Sequence, residues 1–182
     1  ASSHGEDGLG GARPEVSDGI GVVDVSATEL MMRILESSEV PVTIIGIAPL
    51  TNVAKLCLEG GALLNRIREV VIMGGASNGG NHSDHAEFNA WYDPEALQVV
   101  VSSGLPVRVV PLEVTRKALL DAHRLRSLPA GRLQDFMVSS HRTYGASLGG
   151  PEQTRWSEQH DALAVAAVAD PDLFTFERVR VV

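Results

Sequence analysis

Three short runs of β-branched residues limit the possible folds more than any other feature: VPVTIIGI from Val40 to Ile47, the stretch Glu69 to Met73 within REVVIM, and VRVVP from Val107 to Pro111. Each is apolar along most of its length instead of alternating, which is the pattern of a strand covered on both faces. Segments with helical spacing separate them, at Ala27 to Ser37, Leu50 to Leu58, Ala62 to Ile67 and Pro94 to Ser103. Such strands in alternation with helices predict an α/β chain with an open, mostly parallel sheet and helices on both faces. Asp93-Pro94-Glu95 marks one helix start, since it places an N-cap carboxylate, a proline at the first helical position and an acid in the first turn. After Pro111 the pattern loosens into helical stretches at Asp121 to Ser127, Gly131 to Tyr144 and Glu158 to Ala169, with a break at Gly149-Gly150-Pro151.

A parallel sheet puts its ligands beyond the carboxyl ends of the strands, so the loops after VTIIGIA, VVIMGG and VRVVP are where chemistry is expected. Composition removes some partners. The 15 Lys+Arg against 23 Asp+Glu give a formal charge of -8, the wrong sign for binding nucleic acid or an anionic membrane surface. Apolar runs such as Ala162 to Ala169 are too short to span a bilayer, and ASSHGEDGLGG has neither the basic flank nor the apolar centre of a signal peptide. The expected location is cytoplasmic. Cys57, the single cysteine, sits in the apolar segment TNVAKLCL and reads as a small buried side chain.

The loop GGASNGGNHSDHAEFNAWYDPEAL carries Asn81, Glu87 and Asn89 between a strand and a capped helix. Carboxamides and a carboxylate offer the donors and acceptors that suit vicinal hydroxyls, although an Asn/Gly-rich loop by itself also reads as a plain turn. Neither G-x-x-x-x-G-K-[ST] nor a helix-opening G-x-G-x-x-G is present, so the glycines form no phosphate cradle. A second polar cluster, Glu158-Gln159-His160-Asp161, leads into the apolar ALAVAAVA. Adjacent His and Asp cannot share a helix face, but at a first turn one can hold a metal while the other faces a substrate; Asp161 also suits a helix N-terminus through the dipole. His82, His85, His123 and His141 lack metal-ligand spacing, and no G-x-S-x-G motif exists.

These pieces together resemble the inosine-uridine nucleoside hydrolase family along nearly all of the chain. The matching segments are His4-Gly5 with Gly8-Leu9-Gly10, APLTN at Ala48 to Asn52, VVIMGG at Val70 to Gly75 and GN…AEFNAWYDPEA from Gly80 to Ala96. LEVT at Leu112 to Thr115 and HDALAVAAVADPDLF at His160 to Phe174 complete them. APLTN stands where the family usually has GPLTN, and Ala162 where proline is common.

The resemblance implies hydrolysis of the N-glycosidic bond of ribonucleosides with a calcium ion at the base of the pocket. It implies further that the Thr51 carbonyl and the Asp161 carboxylate are calcium ligands, and that Asn81, Glu87 and Asn89 hold the ribose hydroxyls. His160 resembles the acid that protonates the departing base in purine-accepting members, and the resemblance puts His4 near the same base. Such chemistry passes through an oxocarbenium-like state, which rewards gripping the ribose, activating water and protonating the leaving group. The family's Asp-x-Asp-x-x-x-Asp-Asp signature is not reproduced by Glu6, Asp7, Glu15 or Asp18. Residues 1–182 therefore read as the central part of a single nucleoside hydrolase-like domain with an incomplete calcium site. The expected partners are a nucleoside, N- and C-terminal segments present as separate peptides, and a second copy in a homo-oligomer. A non-catalytic domain of the same fold that binds nucleosides or a protein is the alternative.

Overall fold

Along residues 70–73 the buried side chains belong alternately to two separate cores, one on each side of the strand Ile67–Met73. The structure is a computed structural model that describes residues 6–9, 11, 21–147 and 156–180. These fall into two compact units, one of Val23–Arg116 with His160–Val182 and one of Ala1–Val22 with Lys117–Gln159.

The larger unit is built on a parallel sheet of order β1-β2-β3, comprising Val42–Gly46, Ile67–Met73 and Val107–Val110. Val70 and Ile72 face helices α1 (Ala27–Ser37), α2 (Thr51–Glu59) and α4 (Pro94–Val101), packing with Leu35, Leu56 and Val100. Val71 and Met73 face the other way and pack with Val110, Leu112 and the small Ala164 and Ala167 of helix α8 (Asp161–Ala169). Helices on both faces of a parallel sheet are the arrangement expected from continuous apolar strands. Cys57 is half-buried against the first core, and burial pushes its thiol pKa up.

Arg108 fastens α8 to the strand at the sheet edge. Its guanidinium makes two bonds to the Glu69 carboxylate, at 2.6 and 2.8 Å, and a third to the Ala167 carbonyl at 3.0 Å. A bidentate pair fixes orientation as well as distance. Through it the N-terminus of α8, where His160 and Asp161 lie, is held from the helix's far end.

Two short helices, α3 (Phe88–Tyr92) and α5 (Leu112–Thr115), follow β2 and β3. The smaller unit contains α6 (Ala122–Arg126), α7 (Arg132–Ser147) and an antiparallel pair, β4 (Leu119–Asp121) with β5 (Trp156–Glu158).

Some expectations are corrected. Ala62 to Ile67 is not an α-helix but a 3-10 turn, Gly61–Arg66, because Ile67 is already taken by β2 as the partner of Val42. The last helix starts at Asp161 instead of Glu158, since Trp156–Glu158 is occupied by strand pairing and Ser157 points inward, 3% exposed. The break at Gly149-Gly150-Pro151 lies outside the described residues. Among the described residues no helix is long and apolar enough to cross a membrane.

Candidate active site

The loop leaving β2 is shaped by glycine at two points. Gly75 has φ +77°, and a Cβ on Gly80 would stand 2.1 Å from the Ala86 carbonyl oxygen, so no other residue fits there. The N–H groups of Asn81 and His82 both bond that same carbonyl, at 3.1 and 3.0 Å. Asn81 then closes the turn, its Oδ1 accepting the Phe88 N–H at 2.8 Å.

Glu87 follows as the N-cap of α3 and is only 2% exposed. Its carboxylate accepts three backbone N–H groups: Asn89 at 2.9 Å, Ala90 at 3.0 Å and Gly75 at 3.1 Å. One side chain thus caps a helix and ties it to the end of β2. A carboxylate offers roughly four acceptor directions, so about one remains for a ligand. Asn89 is anchored beside it, its Nδ2 donating to the Met73 carbonyl at 3.1 Å.

Asp93 accepts the Ala96 N–H at 3.0 Å as the cap of α4, and its other oxygen accepts the Thr51 hydroxyl. The Thr51 bond, and after it the Ala96 N–H, hold the Asp93 carboxyl below its ordinary range.

His160 is the N-cap residue of α8, and its Nδ1 lies 2.8 Å from the Thr115 hydroxyl, which is fully buried. Asp161 opens the helix and is exposed. His4 lies outside the described residues.

A mostly apolar cavity of about 700 Å³ opens at the carboxyl ends of β2 and β3, with Gly74, Gly75, Asn89, Val110, Pro111 and Phe174 in its wall. Of the candidate site residues among the described residues, Asn89 alone lines it. Asn81, Glu87 and Asn89 are brought together on one loop and one short helix. Thr51 and the His160–Asp161 pair sit on other elements, where Thr51 bonds Asp93 and His160 bonds Thr115. Among the described residues no three His, Cys, Asp or Glu side chains gather as a metal site. Calcium takes about six to eight oxygens, so a carbonyl and a carboxylate such as those of Thr51 and Asp161, though donors of the right kind, do not make a site by themselves.

Sequence reading assigned no role to Glu113 and Arg116, which hold the β2 loop from α5. Glu113 Oε1 accepts the N–H groups of Ser77 at 2.7 Å and Asn78 at 2.5 Å. Burial works to raise the Glu113 pKa, but these backbone bonds outweigh it and the net shift is downward. A depressed folded pKa contributes stability that is complete above the unfolded value of about 4.3 and is lost as pH falls through the folded value. The gap in urea midpoint between the native chain and Glu113→Gln should therefore be widest near neutrality and close as pH drops below about 4. A gap independent of pH would show that the charge contributes nothing.

The chain is similar in sequence and in fold to known proteins. The sequence model described as inosine-uridine preferring nucleoside hydrolase matches residues 1–182. A pyrimidine-specific ribonucleoside hydrolase, RihA of Escherichia coli O1:K1, is 38% identical over 182 residues, covering 94% of this chain and 56% of the relative. A purine-preferring ribonucleoside hydrolase from Gardnerella vaginalis superposes with TM-score 0.84 at 28% identity, covering 94% of this chain and 55% of that one. A plant nucleoside hydrolase, PpNRh1, gives TM-score 0.84 at 25% identity, with 95% and 55% covered. The chain thus spans about half the length of the relatives it matches.

Proposed function

The chain belongs to the inosine-uridine preferring nucleoside hydrolase family, and on that premise we propose that the protein containing it hydrolyses the N-glycosidic bond of ribonucleosides to free base and ribose. The observation that carries this reading is the pairing of a buried carboxylate, Glu87, with the carboxamide of Asn89 at the carboxyl end of a central parallel strand. Both are held by backbone groups, so they are in place before substrate arrives, as a polar group meant for hydroxyls must be.

In this reading Asn81, Glu87 and Asn89 bind the ribose hydroxyls. His160 donates a proton to the departing base, and His4 lies near that base. The Thr51 carbonyl and the Asp161 carboxylate are this chain's contribution to a calcium site. Calcium, when bound, supplies a more acidic water and a template for the sugar hydroxyls. The relatives are named for pyrimidine-specific and purine-preferring activity, so the proposed substrate class is ribonucleosides of either kind.

Asn89 provides the test. Contacts to the sugar help most when they tighten as the ring flattens toward the transition state, so Asn89→Ala in the intact protein should lower kcat by a larger factor than it raises KM. Steady-state kinetics on inosine and uridine measure both. A pure KM effect would make Asn89 a ground-state binding group, and no effect on either would remove it from the site.

A further inference from the structure

The segment GGASNGG that leads to Asn81 has little of its own to keep it in one shape. Four of its seven residues are glycine, and Gly75 and Gly79 sit at positive φ, +77° and +85°. Such a stretch loses much conformational freedom on ordering, and something must offset that loss.

Glu113 and Arg116, three positions apart at α5, grip it from two ends. Glu113 takes the N–H groups of Ser77 and Asn78, while Arg116 donates from Nη1 to the Gly79 carbonyl at 3.1 Å and from Nη2 to the Gly80 carbonyl at 2.7 Å. Residues 77 to 80 are thus bonded one after another, donors to an anion and acceptors to a cation. Charge-assisted bonds of this kind are roughly twice as strong as neutral ones, and the fork of a guanidinium can meet two successive carbonyls where an ammonium offers a point charge. The last clamped carbonyl belongs to Gly80, one peptide bond before Asn81.

We propose that Glu113 and Arg116 are positioning residues that hold Asn81 in its ribose-binding place, acting through the loop and not by touching substrate. The inference rests on the assignment of Asn81 to ribose under the proposed function. Its consequence is quantitative: a loop that is competent only part of the time weakens apparent affinity by that fraction, while substrate already bound sees the competent loop.

The test is a double-mutant cycle in the intact protein, with inosine and uridine as substrates. Arg116→Ala should raise KM about tenfold for both with kcat within about twofold. Arg116→Lys should recover part of the loss. In an Asn81→Ala background, Arg116→Ala should add little, since the group it positions is gone. Glu113→Gln, which keeps shape and volume, gives a second cycle should Arg116→Ala fail to fold. An equal KM increase in both backgrounds would overturn the proposal while leaving the function reading intact. Unchanged kinetics for Asn81→Ala, or no hydrolysis of either nucleoside by the intact protein, would overturn the reading and the proposal with it.

Discussion

His160→Ala in the intact protein is expected to slow inosine hydrolysis on the order of a hundredfold or more, the usual scale of general acid catalysis, and to leave a nitrophenyl riboside nearly untouched. A purine is a poor leaving group as an anion and needs a proton as the bond breaks. A nitrophenolate needs none. The His160 Nδ1 lies 2.8 Å from the buried Thr115 hydroxyl, which holds the ring at the start of α8. The measurement is the ratio of kcat/KM for the two substrates before and after substitution. If His160 served only to hold α8 and the neighbouring Asp161, both substrates would slow together and the ratio would stay constant. That result would remove His160 from the leaving-group role.

Loss of the Glu87 carboxylate should be the most damaging change to stability. Glu87→Ala strands three N–H donors, on Gly75, Asn89 and Ala90, in a place where the side chain is 2% exposed. Each buried unsatisfied group costs about 1–3 kcal/mol, and loss of an N-cap about 0.5–2 kcal/mol. Water entering the vacated space would recover some of this, so about 3 kcal/mol is expected overall. By contrast, Asn89→Ala removes one backbone bond, to Met73, and should cost only about 1 kcal/mol. Urea unfolding of the two variants compares them directly. A Glu87→Ala loss no larger than that of Asn89→Ala would mean that the carboxylate does not carry the loop.

What was legible in the sequence follows from the range of the interactions involved. The three parallel strands declare themselves because each is apolar on both sides, and α4 because Asp93-Pro94 caps it locally. The 3-10 turn at Gly61–Arg66 and the β4–β5 pair do not, since strand partners far along the chain decide them. The site shows the same division. Asn81, Glu87 and Asn89 stand out as polar residues in a loop of the right place in the fold, and that much is visible locally. That Glu87 spends three of its acceptor directions on backbone is not. Nor is the grip of Glu113 and Arg116 on residues about 36 positions earlier, because side-chain bonds to distant backbone leave no periodic trace. In the sequence, Glu113 and Arg116 are no more than two opposite charges three positions apart.

Product analysis decides whether this chain forms part of a hydrolytic nucleoside site. The intact protein, with calcium, should convert inosine or uridine to free base and ribose in equal amounts, without any requirement for phosphate, and chelation of calcium should abolish the reaction. Absence of free base, or a phosphate-dependent reaction that yields ribose 1-phosphate, would contradict it.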